Sequence, residues 1–239
     1  MATMIPAFPS SHLDYPETDG KPMAETDIHR EAMTDTIKTL TEFFRIAPDV
    51  YVAGNLLLYY EEGNRAASVA PDVFVVFGVP KGPRRTYKLW EEGQSPTVVF
   101  EFTSGSTRLE DLGNKRYLYA SLGVREYFLC DPLAEYLKPP LQGYTLRDGE
   151  YSRLADDIDG GLLSHELGLR LRREGARLRL TRTATGERLL WPDEVAEQAR
   201  VEAQARVEAE DRAAAAEAEN AQLRAELARL RGAPASDDA

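Results

Sequence analysis

The chain has 239 residues, of which 43% are hydrophobic, and this is enough for one sizeable core plus extensions. Its formal net charge of -11 excludes a generally basic nucleic-acid-binding surface, although not a local basic site. Cys130 is the single cysteine, which excludes an intramolecular disulfide and a cysteine zinc cluster and favours a reducing, cytoplasmic location. The N-terminal pattern predicts no signal peptide, and without a run of about 18 apolar residues we expect no membrane span.

The predicted elements run from an irregular arm into a mixed core. Residues 1–22 are rich in Pro, Ser and Asp, and a helix with one broad apolar face is predicted from Thr26 to Arg45. Further elements of the core domain, residues 23–191, are predicted as strands over 50–61, 70–78, 97–102 and 125–132, a turn-rich excursion over 78–96, a helix over 109–121, and hairpins over 144–154 and 169–180. This order indicates an α/β or α+β fold with a mixed sheet.

The composition changes from residue 192 onward. Residues 192–231 are dominated by Ala, Glu, Arg and Leu, which predicts one long helix, and residues 232–239 are predicted to be a disordered tail. A seam with alternating spacings of three and four residues predicts a coiled coil, with Asn220 at a position that selects register and a dimeric state. Because few leucines line this seam, a solvated helix without a fixed partner is the alternative.

Two acids interrupt strands that otherwise read as buried. Asp72 begins the strand "APDVFVVF", and Glu101 lies near the end of "VVFEFTS". If these strands are neighbours, both carboxylates converge at one edge of the sheet, where hard oxygen ligands suit Mg²⁺ or Mn²⁺. The alternative is structural: Asp72 caps a turn, and Glu101 pairs with an arginine.

The helix that follows Glu101 places further polar groups near that acid. Asp111, Lys115 and Tyr119 are spaced by four residues and therefore share a face, so Lys115 could reach the same cavity; a surface ion pair with Asp111 is the alternative. Hydroxyl and guanidinium groups in the preceding loop could contact a phosphate backbone, or could serve only to cap the helix. These loop residues are Ser104, Ser106, Thr107 and Arg108.

Two other segments carry polar candidates. Glu25 and His29, four residues apart, lie at the start of the apolar stripe of the first helix. The alternative is that Glu25 only complements the positive N-terminal end of the helix and that His29 is a residue at the rim of the core. The excursion "KGPRRTYKLW" places basic side chains, Arg84 and Arg85 among them, beside Tyr87 and is a candidate for contact with a nucleic-acid backbone, with a solvated loop as the alternative.

The segments "DGKPMAETDIH", "APDVFVVFG" and "VVFEFTSGSTRLEDLGNKRYLYASLGVREYFLCDP" together resemble the Uma-two family of restriction-endonuclease-like proteins. That family belongs to the PD-(D/E)xK nuclease superfamily, and the resemblance covers residues 19–190. It implies a restriction-endonuclease-like mixed β-sheet core flanked by helices. It also implies a nuclease that requires Mg²⁺ or Mn²⁺ and acts on DNA.

The resemblance assigns site residues position by position. Asp72 matches the motif aspartate, Glu101 the second acid, and Glu25 the acid on the first core helix. The superfamily lysine should lie two residues after the second acid, where this chain has Thr103. The resemblance therefore suggests that Lys115, on the next helix, takes the place of that lysine.

The sequence thus predicts a metal-dependent endonuclease that hydrolyses DNA and forms a homodimer through its core, its coiled coil or both. Asp72 and Glu101 are the predicted metal ligands, and Lys115 is the predicted cation at the scissile phosphate. Two alternatives belong to other classes of protein. One is a nuclease-like module that binds nucleic acid without cleaving it, and the other is an interaction protein that acts through its tail.

Overall fold

A computed structural model describes residues 14–18 and 26–232. It divides into two units, Met1–Trp191 and Pro192–Ala239. The predicted N-terminal arm is therefore described only over residues 14–18, and Glu25 lies outside the described residues, as does the predicted tail after residue 232.

Short strands and helices alternate through the first unit. Its strands are β1 Val50–Ala53, β2 Leu58–Tyr59, β3 Ser68–Val69, β4 Val73–Phe77, β5 Tyr87–Lys88, β6 Val98–Phe102, β7 Glu126–Cys130, β8 Leu141–Arg147, β9 Glu150–Arg153, β10 Leu162–Ser164, β11 Leu169–Glu174 and β12 Arg177–Arg182. Its helical elements are α1 Asp27–Phe43, α2 Leu89–Glu92, α3 Arg108–Glu110, a π-helical segment Asp111–Lys115, and α4 Arg116–Ser121.

A six-stranded sheet in the order β1-β4-β6-β7-β8-β9 forms the centre of this unit. Strands β6 and β7 are parallel, whereas each other neighbouring pair in the sheet is antiparallel. The connection between the parallel strands consists of α3, the π segment and α4, as a parallel pair requires a crossover. The predicted mixed α+β core is confirmed.

Alternate residues of β6 face two different apolar layers, as the period of a strand dictates. Val98 and Phe100 pack in a cluster with residues of α1 and of the three-stranded sheet β10-β11-β12. Val99 packs on the opposite face with Tyr119 of α4 and Tyr127 of β7. Glu101 has the same parity as Val99, so its side chain enters the layer beneath the crossover.

Several predicted boundaries shift. The predicted strand over 50–61 divides into β1 and β2, which belong to different sheets. The bend lies at Gly54 and Asn55, where Asn55 has a positive φ of 51 and its N–H donates to the carbonyl of Pro71. The predicted helix over 109–121 is present but is interrupted by the π segment, whose wider turn was not predicted.

The second unit consists, in its described part, of the helix α5, Pro192–Gly232. From Val195 onward its side chains are exposed as far as they are described. Asn220 donates from Nδ2 to the carbonyl of Ala216 at 3.0 Å, a bond within the helix, and its role in pairing two helices stays a prediction. Among the described residues, no helix is long and apolar enough to cross a membrane.

Candidate active site

Asp72 and Glu101 are brought opposite each other by the pairing of β4 with β6. Val73 is the partner of Phe100 in this antiparallel register, so Asp72, one residue before β4, falls opposite Glu101. Directly opposed residues of an antiparallel pair project from the same face of the sheet. The two strands are thus neighbours, and their acids converge. This is the condition under which the sequence predicted a metal site.

Both carboxylate oxygens of Glu101 accept hydrogen bonds. The side chain is fully buried; Lys115 donates from Nζ to Oε2 at 2.9 Å, and Tyr119 donates from Oη to Oε1 at 2.6 Å. Lys115 Nζ also lies 3.0 Å from Oδ1 of Asp111, which is itself buried. Glu101, Asp111, Lys115 and Tyr119 therefore form one buried polar cluster.

The charges of this cluster are coupled. Burial raises the pKa of Glu101 to about 8 although Lys115 opposes the shift, and the nearby charges of Asp72 and Asp111 raise it further. Burial alone would lower the pKa of Lys115, but the surrounding carboxylates outweigh it and raise that pKa above its usual value. The lysine therefore stays an ammonium while three acids compete for one positive charge.

The π segment aims Asp111 and Lys115 at the sheet. Its wider turn places the two side chains on the sheet-facing side of a helix that otherwise exposes Gly113 and Asn114. Tyr127 of β7 donates from Oη to the carbonyl of Asp111 at 2.9 Å and so fixes this segment to the sheet. The sequence analysis did not identify Tyr127 as part of the site. The available signal was its position on β7, two residues before the buried Leu129, which places both side chains on the same face of the strand.

The side chain of Asp72 is held at the end of β6. Its Oδ2 accepts a hydrogen bond from the N–H of Phe102 at 2.6 Å and lies 3.5 Å from Nε2 of His29, so α1 does bring His29 to this acid. Gly54 passes close beneath: a Cβ built there would lie 2.0 Å from the carbonyl oxygen of Asp72. Only glycine fits this approach, a requirement that the sequence did not reveal.

The hydroxyl groups of the loop after β6 bond mainly to one another. Ser104 Oγ lies 3.0 Å from Ser106 Oγ and 3.2 Å from Thr107 Oγ1, and the Ser104 N–H donates to Thr107 Oγ1. This network shapes the turn into α3, but Thr107, the N-cap residue, makes no side-chain capping bond to that helix. Arg108, the first residue of α3, is exposed. Contact of these four residues with DNA stays a prediction.

The basic excursion departs from the prediction. Arg84 makes two hydrogen bonds to Glu92 at 2.6 and 2.9 Å with its side chain only 12% exposed, and Tyr87 is fully buried. Arg85 is largely exposed but pairs with Glu17. We therefore correct the assignment of Arg84 to the phosphate backbone, because its guanidinium folds back on the excursion itself.

The polar cluster fits a divalent cation by its chemistry. Glu101 is a buried acid whose pKa is raised chiefly by burial and further by the charges of Asp72 and Asp111, and the hydroxyl of Thr103, also buried, has no hydrogen-bond partner among the described residues. Within the described part of the chain, no group of three or more His, Cys, Asp or Glu side chains is arranged to hold a metal. Two carboxylates completed by water and substrate oxygens are a common arrangement for Mg²⁺.

A mixed sheet with two opposed acids and a lysine at one edge is the arrangement expected of a nuclease of the restriction-endonuclease type. The chain belongs to the Uma2 family, described as "Putative restriction endonuclease", whose model matches residues 6–180. Family membership thus supports a nuclease of this type.

One solved structure that the chain resembles is "a putative nuclease belonging to DUF820" from Anabaena variabilis ATCC 29413. The two are 14% identical with a TM-score of 0.44, over 65% of this chain and 86% of that one. None of the curated proteins matches the chain.

Proposed function

We propose that this protein is a divalent-metal-dependent endonuclease that hydrolyses DNA phosphodiester bonds. The observation on which the proposal rests is the convergence of Asp72, Glu101 and Lys115 at one edge of the central sheet. Asp72 and Glu101 are opposed in the register of β4 and β6, and Lys115 Nζ lies 2.9 Å from Glu101. Few structural roles require a fully buried acid to be joined by a second acid and a lysine that are each less than a fifth exposed, since each charge removed from water costs free energy.

Each residue has a distinct part in this proposal. Asp72 and Glu101 hold the ion, Mg²⁺ or Mn²⁺, and the bound ion would stabilise charge on the phosphate and make water a better nucleophile. Lys115 is an ammonium that Asp111, with Oδ1 3.0 Å from Nζ, holds near the site when the ion takes its place on Glu101, and it stabilises the negative charge that grows on the phosphate oxygens. His29, beside Asp72, orients that carboxylate.

A second candidate function is favoured by one observation. Both oxygens of Glu101 are engaged, by Lys115 and Tyr119, as in a site that is complete without a ligand. A nuclease-like module that binds nucleic acid without cleaving it would retain such a cluster. The two candidates differ in whether a divalent ion displaces Lys115 from Glu101.

The test is cleavage of supercoiled plasmid and of single-stranded DNA by purified protein with Mg²⁺, Mn²⁺ or EDTA. We expect nicking or cutting with either ion, none in EDTA, and none from Glu101→Gln with either ion. The matched control is Glu110→Gln, the same change at an exposed glutamate of α3, which should cleave like the parent. Cleavage by Glu101→Gln in EDTA would rule out the assignment, and binding without cleavage by the parent would favour the second candidate.

A further inference from the structure

A cavity beside the candidate active site is lined by three cations from three separate segments. It has a volume of about 460 Å³, and its lining includes Arg108 of α3, Lys138 of the loop after β7, and Arg153 of β9. All three side chains are exposed, and within residues 14–18 and 26–232 none of them makes an ion pair. In a chain with a net charge of -11, this concentration of unneutralised positive charge marks an anion site. We call this cavity the basic groove.

The sheet places the basic groove along the same edge as Glu101. Because β6 and β7 are parallel, the loops that follow them leave from the same edge, and β8 begins there, with Gln142 opposite Leu129. Neighbouring strands lie about 4.8 Å apart, so β8 is roughly 10 Å from β6. That distance corresponds to about three nucleotides of a stacked strand, each of which rises about 3.4 Å.

A tyrosine connects the basic groove to the loop that follows Glu101. Tyr136 lines the groove and lies against Gly105, where a Cβ would be 3.1 Å from the ring. The ring is partly exposed, and the loop that carries it is anchored by Asp131, whose carboxylate accepts N–H bonds from Tyr136 and Leu137. The groove therefore offers a fixed aromatic face beside its cations.

The lining of the groove includes one acid and one amide. Glu135 is exposed, and its carboxylate raises the pKa of the neighbouring Tyr136 hydroxyl; the three cations still outnumber this acid. Gln142 donates from Nε2 to the carbonyl of Pro139 at 3.1 Å and accepts at Oε1 from Tyr144 at 2.9 Å. Cations and a stacking ring without a free amide favour recognition that does not depend on sequence.

We propose that the basic groove binds the phosphodiester strand next to the scissile bond, in single-stranded form. Arg108, Lys138 and Arg153 bind its phosphates, and the ring of Tyr136 stacks on one base. This inference rests on the proposed nuclease function and extends it by naming an unpaired DNA strand as the substrate class. The tyrosine favours an unpaired strand, because the faces of bases are accessible only where the duplex is open.

The experiment measures binding of a fluorescein-labelled single-stranded DNA 15-mer by anisotropy, in EDTA so that no cleavage intervenes. The double variant Lys138→Gln/Arg153→Gln should bind at least about tenfold more weakly. Its plot of log affinity against log salt concentration should be flatter by about 1.4, at about 0.7 per lost phosphate contact. A 15-mer of unrelated sequence should give the same result.

The matched control is Arg147→Gln/Arg172→Gln, which changes the net charge equally at exposed arginines. Arg147 lies at the β8–β9 turn, the opposite end of the hairpin from the groove, and Arg172 lies on β11. It should bind within about twofold of the parent, since salt largely screens exposed charges that lie more than a Debye length from the bound strand. An equal loss of affinity for the single strand in both double variants would overturn the proposal that the basic groove binds it.

Tyr136→Ala tests the strand form. It should weaken binding of the single strand at least about fivefold, as expected for the loss of one stacked base, and should weaken duplex binding less. An equal effect on duplex and single strand would overturn the assignment of an unpaired strand. Because these measurements need no turnover, they separate the groove from the nuclease proposal. If Glu101→Gln abolishes cleavage while the groove variants bind DNA like the parent, the nuclease proposal stands and the groove proposal is contradicted.

Discussion

Lys115 Nζ lies 2.9 Å from Oε2 of Glu101, although the two residues are fourteen positions apart and belong to different elements. The superfamily pattern places the lysine on the same strand, two residues after the acid, and this chain has Thr103 there. Thr103 is buried beside the cluster and cannot supply a charge. The crossover supplies the cation here, through the π segment that ends at Lys115.

Replacing Lys115 by alanine should impair the chemical step more than metal binding, because Asp72 and Glu101 remain. Loss of one preorganised charge contact of this kind typically costs about a hundredfold to a thousandfold in rate. Single-turnover cleavage and Mn²⁺ titration calorimetry measure the two effects separately. Lys38→Ala, at an exposed position of α1, is the control and should match the parent. Unchanged cleavage by Lys115→Ala would assign the lysine to a structural pair with Asp111.

The raised pKa of Glu101 predicts how stability depends on pH without metal. An unfolded glutamate ionises near pH 4.5, whereas folded Glu101 ionises near pH 8. Between these values the folded state holds one more proton than the unfolded state, so stability falls as the pH rises and the loss is complete above about pH 8.

Glu101→Gln should remove this contribution. In EDTA, the Tm of Glu101→Gln should exceed that of the parent by an amount that grows from pH 5 to pH 8 and then stays constant. Thermal melts of both proteins at several pH values provide the measurement. Parallel curves would show that Glu101 is already ionised in the folded protein at pH 5.

Gly54→Ala should displace Asp72. The added Cβ would meet the carbonyl of Asp72 at 2.0 Å and the Cδ1 of Ile37 at 2.6 Å, and relief requires the backbone to move. Overpacking of this kind costs about 1–3 kcal/mol, and we expect metal-dependent cleavage to fall as well. Gly113→Ala is the control for stability, because nothing lies within 4 Å of its Cβ. Equal denaturation midpoints in the two variants would contradict the close approach at Gly54.

The heptad spacing of α5 predicts that residues 195–231 self-associate as a parallel pair. A chain that ends at Trp191 should then have a lower oligomeric state than the full chain while its circular dichroism retains the mixed α and β signal of the first unit. Light scattering of both chains tests this prediction. The same oligomeric state for both would mean that any dimer is held by the first unit.

The opposed acids could be predicted because each lies in a strand pattern strong enough to fix its face. Asp72 directly precedes a run of valine and phenylalanine and Glu101 interrupts one, and the period of two then determines where their side chains point. The shared face of Asp111 and Lys115 followed from their spacing. The π turn could not be predicted from the spacing, because a helical pattern is read with 3.6 residues per turn. The glycine at position 113 was the one local sign of an irregular helix.

Contacts between distant segments were beyond the sequence. Arg84 was predicted to bind phosphate because its neighbours are basic, but its partner is Glu92 on α2. The basic groove was missed for the converse reason, since Lys138 and Arg153 are isolated in sequence and meet only when β7, β8 and β9 pair. A local excess of charge is visible in a sequence. The fold decides whether an acid from another segment neutralises that charge, and whether cations from distant segments come together.

The most direct test of the nuclease account is a crystal of the full chain soaked with Mn²⁺ and measured at the manganese absorption edge. We predict one anomalous peak within coordination distance of a carboxylate oxygen of both Asp72 and Glu101, with Lys115 moved off Glu101, and no such peak in Glu101→Gln. A crystal in which Glu101 keeps its bonds to Lys115 and Tyr119, with no manganese between the two acids, would contradict the account.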